Sequence, residues 1–131
     1  MKDDDLQQRY LEYQLLTNQI KQLQQQIEQL TQHLVDLGGI KEGLDNVSNS
    51  EIGEELLVPV GSGVFIKASL KENKEAIMTV GANISVDKNI KDVVIIVDKQ
   101  IEEVKHVIHD MEMELGNLGM RIEELQKELS K

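Results

Sequence analysis

The chain has 131 residues, of which 40% are hydrophobic but only 2% aromatic, so its apolar content is aliphatic and suits helix seams and small sheets better than one compact globular core. Fourteen lysines and arginines against 24 aspartates and glutamates give a net charge of -10, which repels phosphate backbones and anionic lipid surfaces and argues against nucleic acid or membrane as a partner. Cysteine is absent, which removes disulfides and thiol chemistry, and the longest apolar run, residues 93–97, is far too short to cross a bilayer. The acidic start MKDDD does not read as a signal peptide, and a soluble cytoplasmic protein is expected.

From Leu6 onward, apolar residues recur at alternating steps of three and four. One heptad position holds Leu6, Tyr13, Ile20, Ile27 and Leu34, and the other holds Leu16, Leu23, Leu30, Leu37 and Leu44, with Arg9 and Lys41 as the polar exceptions. This is a coiled-coil seam. Glutamines fill much of the space between, and Asp3, Asp4 and Asp5 put negative charge where a helix N-terminus favours it. Gly38, Gly39 and Gly43 weaken the far end, so the pattern predicts a helix secure over residues 5–37 that frays or bends toward Asn46, within a first helical segment assigned to residues 1–45.

Residues 46–88 change character. Leu56, Leu57 and Val58 lead to Pro59, Gly61-Ser62-Gly63 supplies a tight turn, and Val64, Phe65, Ile66, Ala68 and Leu70 continue beyond it, which predicts a β-hairpin. After a polar connection at 71–74, the stretches 76–80 and 82–86 flank Gly81 as a second hairpin or a sharply bent strand. Isolated two-stranded ribbons are marginal in water, and Pro59 is tolerated only where its missing N–H is not needed. Contacts with other subunits are therefore expected through Leu56, Val58, Val60, Val64, Phe65, Ile66, Ile77, Val80 and Ile84.

Residues 89–131 carry a second, cleaner seam. Ile90, Val94, Val97, Ile101, Val104, Ile108, Met111, Leu115, Leu118, Ile122, Leu125 and Leu129 are apolar without a break, and this register runs straight through the strand-like run 93–97. Asn89 is the expected N-cap, with Asp92 at the third helical position. The apolar residues all round the helix at 93–97, beside an unfinished sheet, again point to neighbouring subunits. Two seams of nearly equal length, roughly 57 Å each at the usual rise per residue, suit antiparallel pairing. The expected fold class is α+β, mainly α: a single domain over residues 1–131, with a long antiparallel two-helix coiled coil, two β-hairpins at one end and both chain termini at the other.

The order helix, LLVPVGSGVFIKASL, IMTVGANISV, helix resembles the α-class subunit of archaeal-type prefoldin over the whole chain. The most specific part of the resemblance is Val58-Pro59-Val60-Gly61 through Phe65-Ile66-Lys67-Ala68, followed by Met78-Thr79-Val80-Gly81-Ala82. The resemblance implies a subunit with two hairpins that joins β-class subunits, which have one, in a hexamer of two α and four β chains. It further implies hairpins joined into a double β-barrel, capture of unfolded proteins at coiled-coil tips without ATP, and delivery to a group II chaperonin.

Catalytic constellations are missing from the sequence, and no enzyme activity, cofactor or metal is expected. Gly61-Ser62-Gly63 lacks the lysine and helix start of a phosphate loop. His33, His106 and His109 lie off the seams and read as surface histidines, and the carboxylates are dispersed around the helices. Tyr10, Met113 and Met120 are apolar residues outside the seam. Taken alone they read as scattered exposure, but with the resemblance they read as an adaptable contact surface. Gly116 and Gly119 lower the cost of opening the helix pair there. Candidate client-binding residues are accordingly Leu6, Tyr10, Tyr13, Leu118, Met120, Ile122, Leu125 and Leu129. The alternative function is a structural or filament-forming coiled-coil scaffold without general client binding.

Overall fold

The computed structural model describes residues 2–130; Met1 and Lys131, the ends of the expected domain, lie outside the described residues. The elements in chain order are helix α1 (Asp3–Asn49), strands β1 (Glu55–Gly61), β2 (Val64–Ser69), β3 (Glu75–Gly81) and β4 (Ile84–Asn89), and helix α2 (Ile90–Leu129). Two long helices and two antiparallel hairpins make the chain mainly helical, in agreement with the expected fold class. The chain divides into two compact units, one built from the segment ending at Val35 together with the segment starting at Glu102, the other from Asp36–Ile101.

In the first unit the helices pair antiparallel, because Arg9 meets Glu128, Glu12 meets Arg121 and Tyr13 meets Gln126. Every seam position of the two heptad patterns within this unit is at least half-buried, while most residues between them are exposed. A two-helix seam has no third layer to cover it, so most of its residues are only half removed from water. Leu125 is the exception, with 0% of its surface exposed.

The second unit has its own small core of Leu37, Leu70, Ile90, Val93 and Val97. Helix α1 does not fray at the glycines, but continues through Gly38, Gly39 and Gly43 to Asn49. Each glycine costs about 1 kcal/mol in a helix interior, yet Leu37 is buried, Leu44 and Val47 are half-buried, and Lys41 Nζ lies 2.8 Å from Asp98 Oδ1. No neighbour would obstruct a side chain at any of the three glycines, so none is required by close packing. Tertiary contact outweighs local propensity here.

The two hairpins are built alike. In the first, Gly61 pairs with Val64 around Ser62 (φ 46°) and Gly63 (φ 78°); in the second, Gly81 pairs with Ile84 around Ala82 (φ 47°) and Asn83 (φ 61°). Positive φ at both central residues gives the type I′ geometry whose twist matches that of the strands. The region around Gly81 is thus a true hairpin, and Ala82, expected in a strand, sits in its turn. Gly61 (φ 135°) and Gly81 (φ 130°) occupy a conformation that side chains disfavour, each beside a bulge that shifts the register by one residue.

Leu70 N donates to Glu54 O at the root of the first hairpin, and antiparallel alternation from that pair turns the nitrogens of Glu55, Leu57 and Pro59 away from β2. Pro59 is accommodated for this reason. At the start of α2, Asn89 Oδ1 accepts from Lys91 N at 3.0 Å, which makes it the expected cap. Of the apolar run 93–97, Val93 and Val97 are buried and Val94 and Ile96 half-buried by the chain itself, so only Ile95 is left well exposed.

Candidate functional site

The end of the first unit where α1 begins and α2 ends has two chemically different sides. Heptad geometry explains the division: in an antiparallel pair, the e positions of the two helices flank one side of the seam and the g positions flank the other. Tyr10 and Gln126 occupy e positions. With Tyr13, Gln14, Leu129 and Ser130 they line a largely apolar groove of about 440 Å³, and Gln126 Nε2 lies 3.3 Å from the Tyr13 hydroxyl.

The g side is charged. Arg121 clamps Glu12 with two donors, Nε to Oε1 at 2.9 Å and Nη2 to Oε2 at 3.2 Å, while Nη1 reaches Glu124 Oε2 on its own helix at 3.0 Å. Arg9 Nε donates to Glu128 Oε2 across the pair. The hydrogen bond and charge of Arg121 hold the Glu12 carboxyl below its ordinary range, and Glu12 and Glu124 together raise the Arg121 guanidinium above its own. Asp5, Gln8, Arg9, Glu12 and Arg121 enclose a polar recess of about 330 Å³.

Of the candidate client-binding residues, the structure brings Tyr10, Tyr13 and Leu129 together in the groove. Tyr10 is 52% exposed and Met120, outside the groove, 65% exposed. Leu6, Leu118 and Ile122 are half-buried along the seam, and Leu125 is wholly buried, so these four become accessible only if the helices part. Sequence reasoning missed the cross-helix pairs of Glu12, Arg121 and Glu128 and the exposed pair Leu11 and Leu15. Opposite charges at the g positions Glu12 and Arg121 were the signal that would have found the first, once antiparallel pairing was assumed.

The hairpins form the second candidate surface, in the second unit. Val58, Val60, Val64, Phe65, Ile66, Ile77, Val80 and Ile84 are all exposed, Ile77 by as much as 76%, whereas Leu56 is half-buried. Phe65 and Ile66 are neighbours in one strand and point to opposite faces, yet both are more than half open. Both faces of the first hairpin thus keep large apolar side chains open, although Leu56 and Ala68 at the root of one face are half-buried. Lys41, whose ammonium is raised above its ordinary range by its hydrogen bond to Asp98, belongs to the helical part of this unit.

Among the described residues no three His, Asp or Glu side chains are grouped to hold a metal, and no helix is long and apolar enough to cross a membrane. His106 faces Asp110 one helical turn away at 3.6 Å, and both side chains are largely exposed. Ser62 and Gly63 form a hairpin turn between two strands, with no helix following to present a phosphate-binding N-terminus.

Comparison with known proteins gives a family model, described as prefoldin subunit, that matches residues 16–131. The chain is 29% identical over 118 residues to prefoldin subunit alpha of Thermofilum pendens, covering 90% of this chain and 92% of that protein. It is 30% identical over 117 residues to prefoldin subunit alpha of Pyrococcus horikoshii, covering 88% and 79%. Its fold matches a cryo-EM structure of filamentous PFD from Methanocaldococcus jannaschii with a TM-score of 0.78 at 22% identity, over 91% of this chain and 98% of the other.

Proposed function

The chain belongs to the prefoldin family as an archaeal-type α-class subunit, a chaperone component that assembles with other prefoldin subunits, and from that premise we propose that it works as an ATP-independent holdase. Its hairpins join two α-class to four β-class subunits in a cytoplasmic hexamer. The terminus-bearing ends of the coiled coils capture unfolded proteins, which pass to a group II chaperonin.

The observation that carries the capture role is the apolar groove of Tyr10, Tyr13 and Leu129 at a helix-pair end that also exposes Leu11, Leu15 and Met120. An unfolded chain exchanges its own apolar surface against these residues without any covalent step, so no nucleotide is needed. Parting of the helices adds Leu6, Leu118, Ile122 and Leu125, and Gly116 and Gly119, at about 1 kcal/mol each, make that stretch of α2 easier to deform. Each end binds weakly, and several ends in one complex bind one client with avidity.

Removal of residues 1–14 and 118–131 tests the assignment. The trimmed complex should sediment as an intact oligomer and lose suppression of the aggregation of a chemically unfolded protein. Full protection by the trimmed complex would move the capture site to the coiled-coil walls or the barrel. A second reading, a filament-forming scaffold, draws on the fold shared with the filamentous structure. Filaments formed by the chain alone, without protection of unfolded proteins, would favour it.

A further inference from the structure

We propose that the pairs Arg9–Glu128 and Glu12–Arg121 form an ionic clasp that positions the two helix ends and gates capture, so that releasing the clasp strengthens client binding. The inference rests on the capture reading above and adds to it the residues that set how far the site is open.

The clasp lies on the g side of the seam and the groove on the e side, with Leu125, the most completely buried of the described side chains, between them. The two pairs have opposite polarity: α1 supplies the cation in one and the anion in the other. A slip of one helical turn that brought Arg9 to Glu124 would carry Arg121 from Glu12 to the uncharged Gln8, so only one register satisfies both pairs. Held in that register, the end exposes the groove but keeps Leu118, Ile122 and Leu125 covered.

Clasp strength decides whether this works as a gate. The Arg9, Glu12, Arg121 and Glu128 side chains are 34–41% exposed, so water and salt reach them. Pairs of that exposure each shift an equilibrium by up to a factor of about five, and two together bias closure by roughly three- to tenfold. A bias of this size holds the end closed in dilute buffer and yields to a client or to salt.

The test uses the full-length chain assembled with its single-hairpin partner subunit. Glu12→Gln with Glu128→Gln removes both anions without adding bulk. The neutralised complex should bind a fluorescently labelled, chemically unfolded protein about fivefold more tightly at low ionic strength, with little dependence on NaCl. The parent should approach the same affinity as NaCl rises. Spin labels at Gln8 and Lys127 should report a longer, broader distance distribution in the neutralised complex. The exchange Glu12→Arg with Arg121→Glu should return affinity, salt dependence and label distance toward the parent. Such restoration separates gating from a general loss of stability, which would lower the melting midpoint without tightening capture.

Equal or weaker capture by the neutralised complex, or salt dependence that survives neutralisation, would overturn the clasp. Absence of capture by the parent and all variants at every salt concentration would instead overturn the holdase reading on which it rests.

Discussion

Replacing Phe65 by Asp removes a side chain that leaves 55% of its surface open in the single chain. If assembly covers what the chain leaves open, about 100 Å² of aromatic surface is withdrawn from water, a gain of about 2.5 kcal/mol. An aspartate in its place forfeits that gain and adds the cost of desolvating an unpaired carboxylate, about 2 kcal/mol or more. The sum, between 4 and 5 kcal/mol at about 1.4 kcal/mol per decade, weakens each contact by roughly a thousandfold. Helices α1 and α2 make no use of Phe65, so helicity measured by circular dichroism should remain near that of the parent. Sedimentation velocity of the chain mixed with other prefoldin subunits should show monomers or small oligomers in place of the complex. Ile66→Asp probes the opposite face of the same strand, which is 52% exposed. If assembly closes the hairpins into a barrel, one face lines its interior and the other meets packed neighbours, and both substitutions should then disrupt assembly. Two variants that sediment like the parent would refute the reasoning that these faces are interfaces.

Lys41→Leu should raise the thermal midpoint of the complex at fixed protomer concentration, by about 1 kcal/mol or several degrees, because a half-exposed ion pair contributes little while a seam leucine buries apolar surface. A lowered midpoint would show that Lys41–Asp98 is a true stability determinant. Ala82→Val should destabilise by about 1–2 kcal/mol although the position is exposed, since a β-branched residue resists the positive φ of the turn; equal melting curves would contradict the turn geometry. Glu12, held below its ordinary value of 4.5 chiefly by the Arg121 hydrogen bond, contributes closure that is present above that value and is lost as pH falls through the lowered one. Spin-label distances between the helix ends should lengthen on acidification through that window, and less so in Glu12→Gln.

The long helices were legible because heptad periodicity integrates weak signals over many residues, and the seam of α2 overrode the strand propensity of residues 93–97. Local breakers were harder to weigh. Gly38 and Gly39 cost the helix free energy on their own, but the burial that offsets it places Leu37 in one core with Leu70, Ile90, Val93 and Val97, far along the chain. Hairpin turns split in the same way: Ser62-Gly63 announces itself, whereas Ala82-Asn83 has no glycine inside the turn and depends on Gly81 just before it. At the terminal end, Tyr10, Tyr13 and Leu129 could be placed together from heptad positions, but the clasp needed the relative stagger of two helices to within one turn. No single-helix pattern carries that information.

Both faces of the first hairpin are apolar and open, and this bears on supply as well as on architecture. A chain released without partners displays a surface of the kind that drives strands to aggregate edge to edge and face to face. Its own solubility is then borrowed from the complex. Overproduction relative to partner subunits creates orphans that must be degraded or paired with one another, so the cell has reason to match the synthesis of the different subunits closely.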